Sequence, residues 1–205
     1  MGDPPVVSEA DLLERWQRRF ALPPAIGLDL LQRWDEPHRH YHGPAHLHHG
    51  LTLLDQAQAP HVVELAWWFH DAVHSNRSPA DEQASAALAE QQLSGLVEDD
   101  QVAEVVRLVL LTSHHQPRPD DQPGALLCDT DLHPLSLPWP DYTDQVAALR
   151  AERLDLDLEV WQRARAARLR QLLARPTLFH SRGTGVGEAA ARANLSRELD
   201  ELAGS

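Results

Sequence analysis

Apolar residues recur along most of the chain at intervals of three and four, the spacing that places them on one face of an α-helix. Leu, Ala, Glu, Gln and Arg dominate, whereas β-branched runs and Asn-Gly or Asp-Gly hairpin signals are missing. The pattern therefore predicts an all-α bundle of about nine helices. One predicted helix begins at residue 44 and carries Leu47, Leu51 and Leu54. The other predicted helices cover residues 8–20, 25–35, 61–74, 78–93, 97–113, 141–154, 158–174 and 187–202.

Local signals support the starts of several of these helices. Ser8 followed by Asp11 is typical of an N-cap with a carboxylate three residues later, and Pro44 suits the first turn of a helix. Residues 114–140 are instead punctuated by prolines and acidic residues, which predicts a long ordered loop or short turns. No repeat or low-complexity linker divides the chain, so residues 1–205 are expected to form a single domain, with the helices of 1–33 packing on its core.

The numbers of basic and acidic residues exclude several classes of function. All 18 basic residues are arginine against 31 acidic residues, for a net charge of −13. The absence of lysine excludes Schiff-base chemistry and the phosphate-loop lysine. The negative charge argues against nucleic-acid polymers and anionic membranes as partners, because the electrostatic term would be repulsive.

The cysteine content and the search for targeting signals limit the possible metal sites and the expected localisation. The single Cys128 excludes an internal disulfide and any zinc site that needs two thiolates. There is no signal-peptide pattern, and no apolar stretch approaches the roughly 20 residues that span a bilayer. The sequence therefore predicts a cytoplasmic protein.

The His70-Asp71 pair holds the most chemical information in the chain. It ends the most apolar predicted helix, directly after Trp67-Trp68-Phe69. Burying an imidazole and a carboxylate costs several kcal/mol unless each finds a partner. An ion pair or a hydrogen-bonded cap is one explanation, although the dipole at a helix C-terminus disfavours Asp. A divalent metal is the other explanation, and it would satisfy both groups at once.

Further potential ligands lie upstream and downstream of this pair. His42 and His46 bracket Gly43-Pro44, and Asp129 and Asp131 flank Thr130. Imidazole together with carboxylate suits a divalent ion such as Mn²⁺, Fe²⁺, Co²⁺, Ni²⁺ or Zn²⁺.

The order His46, His70-Asp71 and Asp131 resembles the H…HD…D signature of the HD superfamily of metal-dependent phosphohydrolases. Over residues 34–202 the chain is similar to an uncharacterised bacterial branch of that superfamily. The blocks that carry the resemblance are Arg39-His40-Tyr41-His42 with His46, Phe69-His70-Asp71, Asp81-Glu82 with Ser85-Ala86, Thr112 with His115, Asp129-Thr130-Asp131-Leu132, and Ala191-Arg192-Ala193-Asn194-Leu195.

The chain departs from that branch at two places. His74 stands where a tyrosine is expected, and Arg150-Ala151-Glu152-Arg153 replaces an Arg-x-Glu-Tyr block. His74 is one helical turn from His70, close enough to share a metal. The expectation of one metal ion therefore leaves room for a second.

The resemblance implies an HD-like helical fold with one divalent metal held by His46, His70, Asp71 and Asp131, with Asp129 as the fallback ligand. Magnesium is a further option for the ion. A metal with open coordination positions lowers the pKa of the water that it binds, which allows attack on phosphorus at neutral pH. The expected substrate is a small phosphorylated metabolite, with a nucleotide as the leading choice.

Several other residues are candidates for direct roles in this reaction. Asp71, His115 and Glu82 are predicted as catalytic residues, and Arg39, His42 and His115 as phosphate-binding residues. The guanidinium fork of Arg39 matches phosphate oxygens, although a surface arginine solvating a loop has the same pattern. The alternatives are a polar helix C-cap for His115 and an exposed first-turn glutamate for Glu82.

Two other functions fit the same pattern. A di-iron HD-type oxygenase would draw extra ligands from His74, His114 and His115, and a non-catalytic ligand-binding protein would use its metal structurally. The C-terminal helix, with Ala189, Leu195, Leu199 and Leu202, would either close the core or pair with a second subunit in a homodimer.

Overall fold

The computed structural model describes residues 8–181 and 187–204, which form ten α-helices and one short 3₁₀ helix and contain no β-strand. The predicted all-α class is confirmed. The helices are α1 (Glu9–Arg19), α2 (Pro24–Trp34), α3 (Pro44–Gln56), α4 (His61–Phe69), α5 (Ala80–Leu93), α6 (Asp99–Leu111), α7 (Gln122–Leu132), the 3₁₀ helix (His133–Ser136), α8 (Trp139–Ala151), α9 (Leu158–Leu173) and α10 (Glu188–Ala203).

Helix α7 corrects the prediction of a loop or short turns over residues 114–140. Asp121 caps this helix by accepting a hydrogen bond from the Gly124 amide at 2.9 Å, and Pro123 lies in the first turn, where proline is tolerated. Seven of its eleven residues are buried, including Asp129 and Thr130. Because the helix is enclosed on most sides and carries polar side chains with buried partners, it lacks the one-sided apolar pattern that reveals surface helices.

Helix α4 ends at Phe69, whereas the sequence pattern predicted a helix to residue 74. The carbonyls of Asp71 and Ala72 accept hydrogen bonds from the buried Arg39 guanidinium. The Ser85 hydroxyl accepts from the Val73 amide at 2.9 Å. Side chains from other segments therefore satisfy these backbone groups, including the Val73 amide, which a helix continuing to residue 74 would have paired with the Phe69 carbonyl.

The core is built around α4, in which Trp67, Trp68 and Phe69 are fully buried. The indole of Trp67 donates to the Leu47 carbonyl of α3 at 2.9 Å, and that of Trp34 in α2 donates to the Trp68 carbonyl at 3.0 Å. These two bonds fix α2 and α3 against the end of α4, where His70 begins the turn.

A smaller apolar cluster lies between α9 and α10. Leu195 is fully buried there with Leu169 and Leu178, and Leu199 and Leu202 pack against the cluster. Among the described residues, the apolar face of the C-terminal helix thus closes a core, which was one of the two expectations for it.

Asp121→Asn is expected to destabilise the protein by about 1 kcal/mol at pH 7, because the half-exposed Arg107 then loses one of its two carboxylate partners and keeps only Glu104. The Asp121 carboxylate accepts hydrogen bonds from Arg107 at 2.6 and 2.9 Å as well as from Gly124. Asparagine keeps an oxygen that can accept from the Gly124 amide, so the substitution removes only the negative charge of Asp121. Urea unfolding measures the difference.

The same difference should shrink at acid pH. Burial raises the pKa of Asp121, but the hydrogen bonds from Arg107 and Gly124 outweigh it and hold this pKa below its usual range. A depressed native pKa stabilises the fold above the unfolded value of about 3.9, and the stabilisation is lost as pH falls through the native pKa. Asp120→Asn, at a side chain that is 87% exposed, is the control and should unfold like wild type. Equal stability of Asp121→Asn and wild type at pH 7 would contradict this account.

Candidate metal centre

Four of the predicted ligands meet in one buried place, which we call the His70 cluster (His46, His70, Asp71 and Asp131). Ligand atoms of His46, His70 and Asp131 all lie within 4.8 Å of one another, so the three side chains could hold a metal ion. The Oδ1 atom of Asp131 is 3.1 Å from His46 Nε2 and 3.8 Å from His70 Nε2. Asp71 Oδ2 lies 3.1 Å from His70 Nε2. Helices α3, α4 and α7 therefore each bring ligands to this point.

The orientation of the His70 ring favours metal binding. Its Nδ1 donates to the Trp67 carbonyl at 2.7 Å, so in the neutral imidazole the proton is on that nitrogen and the Nε2 lone pair faces the carboxylates. His70 Nε2 is buried and has no hydrogen-bond partner within the described part of the chain. An unpartnered nitrogen among an imidazole and two carboxylates is the arrangement that a divalent transition metal fits.

Negative charge dominates the electrostatics of the His70 cluster. Burial lowers the pKa of His70, but the charge and close contact of Asp71, the charge of Asp131 and the hydrogen bond to the Trp67 carbonyl together outweigh this effect and raise the pKa to about 9. Burial raises the pKa of Asp131, yet the hydrogen bonds from His115 and His46 hold it well below its usual range. The cluster therefore attracts positive charge, either a proton or a cation. Because a metal must displace that proton, metal affinity should rise with pH.

Aromatic rings hold both imidazoles of the His70 cluster in place. The Trp67 ring stacks on His70 with centroids 4.0 Å apart, and the Trp34 ring lies 5.4 Å from the same imidazole. Tyr41 and Trp67 each pack 5.0 Å from the ring of His46. These contacts restrict the imidazoles to one orientation and keep water away from the inner side of the cluster.

His115 contacts the cluster through Asp131. Its Nε2 lies 2.6 Å from Asp131 Oδ2, while its Nδ1 is buried without a hydrogen-bond partner. The backbone of His115 has φ of 50°, a left-handed conformation that costs energy in a residue with a side chain. Arg175 stabilises this turn by donating to the carbonyls of His114 and His115. The structure thus orients His115 toward Asp131, a candidate metal ligand.

Asp129 does not take part in the His70 cluster. Its buried carboxylate accepts hydrogen bonds from the His180 amide at 2.8 Å and from the Ser181 amide at 2.5 Å. Two residues separated by one position on a helix point roughly 200° apart, so only one of Asp129 and Asp131 can face a given site. In α7 that residue is Asp131.

Arg39 is placed differently from both expectations for it. Its side chain is 0% exposed, so it does not solvate a surface loop. The guanidinium donates to the carbonyls of His42, Asp71 and Ala72 and to the Glu36 carboxylate. With its donors used in this way, Arg39 holds the turn after α4 and has no free edge for a phosphate group.

A second group of potential ligands, which we call the Glu152 cluster, comprises His42, His74 and Glu152. Their ligand atoms also lie within 4.8 Å of one another and could hold a metal ion. His42, predicted as a phosphate-binding residue, contacts Glu152 Oε2 through Nδ1 at 2.7 Å. Glu152 follows α8, 110 residues beyond His42. The only sequence signal for it was the departure from the expected block at 150–153.

Glu82 and Arg168 also contribute to the electrostatic surroundings of the site. Glu82 Oε2 is buried without a hydrogen-bond partner. Burial and the cations Arg175 and Arg165 lower the pKa of Arg168, whereas Asp131 and Glu82 act in the opposite direction. Among the described residues, the Arg168 side chain makes no hydrogen bond or ion pair. Helical periodicity alone did not distinguish Arg168 from the other arginines of α9.

Comparisons of the chain with protein-family models, with curated proteins and with solved structures find no match. Within residues 8–181 and 187–204, none of the helices has both the length and the apolar character needed to cross a membrane. What this protein can do chemically is therefore inferred from the side chains of the His70 and Glu152 clusters.

Proposed function

We propose that this chain is a metal-dependent phosphohydrolase of the HD type that acts on a small phosphorylated metabolite such as a nucleotide. The observation that carries the proposal is the buried, unpartnered Nε2 of His70 between Asp71, Asp131 and His46. A divalent ion bound by these four side chains would activate water for attack and neutralise the charge of phosphoryl oxygens.

Residues around the His70 cluster would then support the reaction. His115 Nε2 lies 2.6 Å from Asp131 Oδ2, so His115 holds that carboxylate in place and is positioned for proton transfer. The unpartnered Oε2 of Glu82 is a second candidate proton acceptor. Trp34 and Trp67 exclude water from the inner side of the site, which strengthens the electrostatic interactions there.

Arg168 is the candidate for phosphate binding in place of Arg39. Its guanidinium is not committed to another side chain of the described protein, and it interacts electrostatically with Asp131 and Glu82 at the site. The planar fork of arginine matches the geometry of phosphate oxygens. With no lysine in the chain, an arginine is the expected source of this charge.

Arg168→Ala is expected to raise KM by about 10- to 100-fold with a smaller effect on kcat, because a charge-assisted hydrogen bond contributes about 1.5–3 kcal/mol to binding. Steady-state kinetics of phosphate release measures both constants. Arg163→Ala is the matched control on the same helix, since the Arg163 side chain is 69% exposed and pairs with Glu159. An unchanged KM in the Arg168 variant would rule out this role.

A phosphate-release screen tests the proposed function itself. The protein would be stripped with a chelator, loaded separately with Mn²⁺, Fe²⁺, Co²⁺, Ni²⁺, Zn²⁺ or Mg²⁺, and assayed with nucleotides and generic phosphoesters. We expect release with at least one ion and its loss after renewed chelation. Absence of hydrolysis under every ion would overturn the proposal.

The Glu152 cluster favours a second candidate, the di-iron oxygenase, because it supplies imidazole and carboxylate groups beside the first cluster. His114, which that function would also use, has its Nδ1 accepting from the Gln116 amide at 3.1 Å. Two irons per chain together with oxygen consumption would support the oxygenase, and iron-loaded protein that consumes no oxygen would exclude it.

A further inference from the structure

We propose that His42, His74 and Glu152 form a second metal site that binds a divalent transition ion such as Zn²⁺ separately from the His70 cluster. The ligands come from three distant segments: the turn before α3, the turn after α4 and the residue that follows α8. The inference concerns metal binding and does not depend on phosphate hydrolysis.

The spacing of the donor atoms suits a transition ion. Glu152 Oε2 is 2.7 Å from His42 Nδ1 and 3.3 Å from His74 Nε2. In a tetrahedral site with bonds of 2.0–2.2 Å, neighbouring donors are about 3.4 Å apart. Small side-chain movements would therefore bring the three donors to coordination distance, and the fourth position would stay open for water or another ligand.

The unpartnered nitrogen of His74 is the observation that points to a ligand. The His74 side chain is 8% exposed, and its buried Nε2 faces Glu152 without forming a hydrogen bond. Leaving such a group unsatisfied in the protein interior destabilises the fold. An ion pair between His42 and Glu152 alone would leave this nitrogen unpaired, whereas a metal ion would use it.

The backbone supports Glu152 in the role of ligand. Its Oε1 accepts hydrogen bonds from the amides of His40, Tyr41 and His42 at 2.7–2.8 Å, and its side chain is fully buried. These bonds fix Oε2 toward the two imidazoles, whose rings stack with centroids 4.1 Å apart. Supporting hydrogen bonds of this kind are typical of metal-binding carboxylates.

Ligand chemistry favours a transition metal over magnesium. Two imidazoles and one carboxylate suit Zn²⁺, Co²⁺ or Ni²⁺, whereas Mg²⁺ prefers oxygen ligands and retains water. The His42 ring lies 6.0 Å from that of His46, so an ion here would add positive charge beside the His70 cluster.

Metal stoichiometry tests the inference. Chelator-stripped protein would be dialysed against micromolar Zn²⁺ and its metal content measured by mass spectrometry. We expect two ions per chain in the wild type, one in His74→Ala, one in Glu152→Gln, and one in His70→Ala. His48→Ala, which removes a histidine outside both clusters, should retain two.

The outcomes separate this site from the proposed function. Wild-type metal content retained by both His74→Ala and Glu152→Gln would overturn the inference whether or not the protein hydrolyses phosphate. Glutamine in place of Glu152 keeps an oxygen for the three amides, so this variant should stay folded by circular dichroism and decide the question if His74→Ala does not fold. Loss of one Co²⁺ absorption component in Glu152→Gln would provide an independent readout.

Discussion

His70→Ala is expected to lower the kcat/KM of phosphate release by at least about 1,000-fold while the helical fold is retained. The substitution removes the buried Nε2 that faces Asp71 and Asp131. Without it the remaining ligands no longer surround a cation, and the carboxylates are left with unbalanced negative charge. Steady-state kinetics, metal content and circular dichroism on the same preparation measure the effect.

A matched variant and a second substitution make this result interpretable. His48→Ala removes a histidine from the same helix as His46 but outside the His70 cluster, and should hydrolyse like wild type. Asp71→Asn changes a ligand with little change in volume, and should lose activity to a similar degree. Wild-type turnover in His70→Ala would contradict the catalytic role, and loss of folding in both ligand variants would indicate a structural metal.

Gly50→Ala is expected to destabilise the protein by about 3 kcal/mol or more, through overpacking of the core behind the His70 cluster. A Cβ atom on Gly50 would lie 2.0 Å from Cζ2 and 2.1 Å from Cε2 of Trp67, far inside van der Waals contact. Trp67 is fully buried and hydrogen-bonded to the Leu47 carbonyl, so its ring has no space into which it could move.

The same substitution should weaken metal binding at the His70 cluster. The Trp67 ring stacks on His70, and the Trp67 carbonyl holds His70 Nδ1, so a displaced Trp67 would misalign the ligand. Urea unfolding and Zn²⁺ titration measure the two effects. Gly204→Ala is the control, since a Cβ there would lie 3.7 Å from the Asp200 carbonyl, an ordinary contact. A Gly50 variant as stable as wild type would show that α3 and α4 pack less rigidly than described.

Much of the secondary structure was predictable because helical periodicity is a local property of the chain. The pattern predicted the helices that became α1–α6 and α8–α10, with ends that differ by a few residues. Helix α7 was missed because most of its residues are buried and its polar side chains have tertiary partners. The end of α4 was misplaced for a related reason, since the Ser85 hydroxyl accepts from the Val73 amide, which a helix continuing to residue 74 would have paired with the Phe69 carbonyl.

The sequence by itself determined the helical class and placed His46, His70, Asp71 and Asp131 among the residues able to bind a metal, because residue type and order are visible along the chain. Only the tertiary structure decided between Asp129 and Asp131, since that choice depends on which side of α7 faces α3 and α4. It likewise committed Arg39 to backbone carbonyls and brought Glu152 beside His42 and His74. The physical reason is the same in each case: periodicity is set by neighbours in sequence, whereas the partner of a buried polar group is set by packing between distant segments.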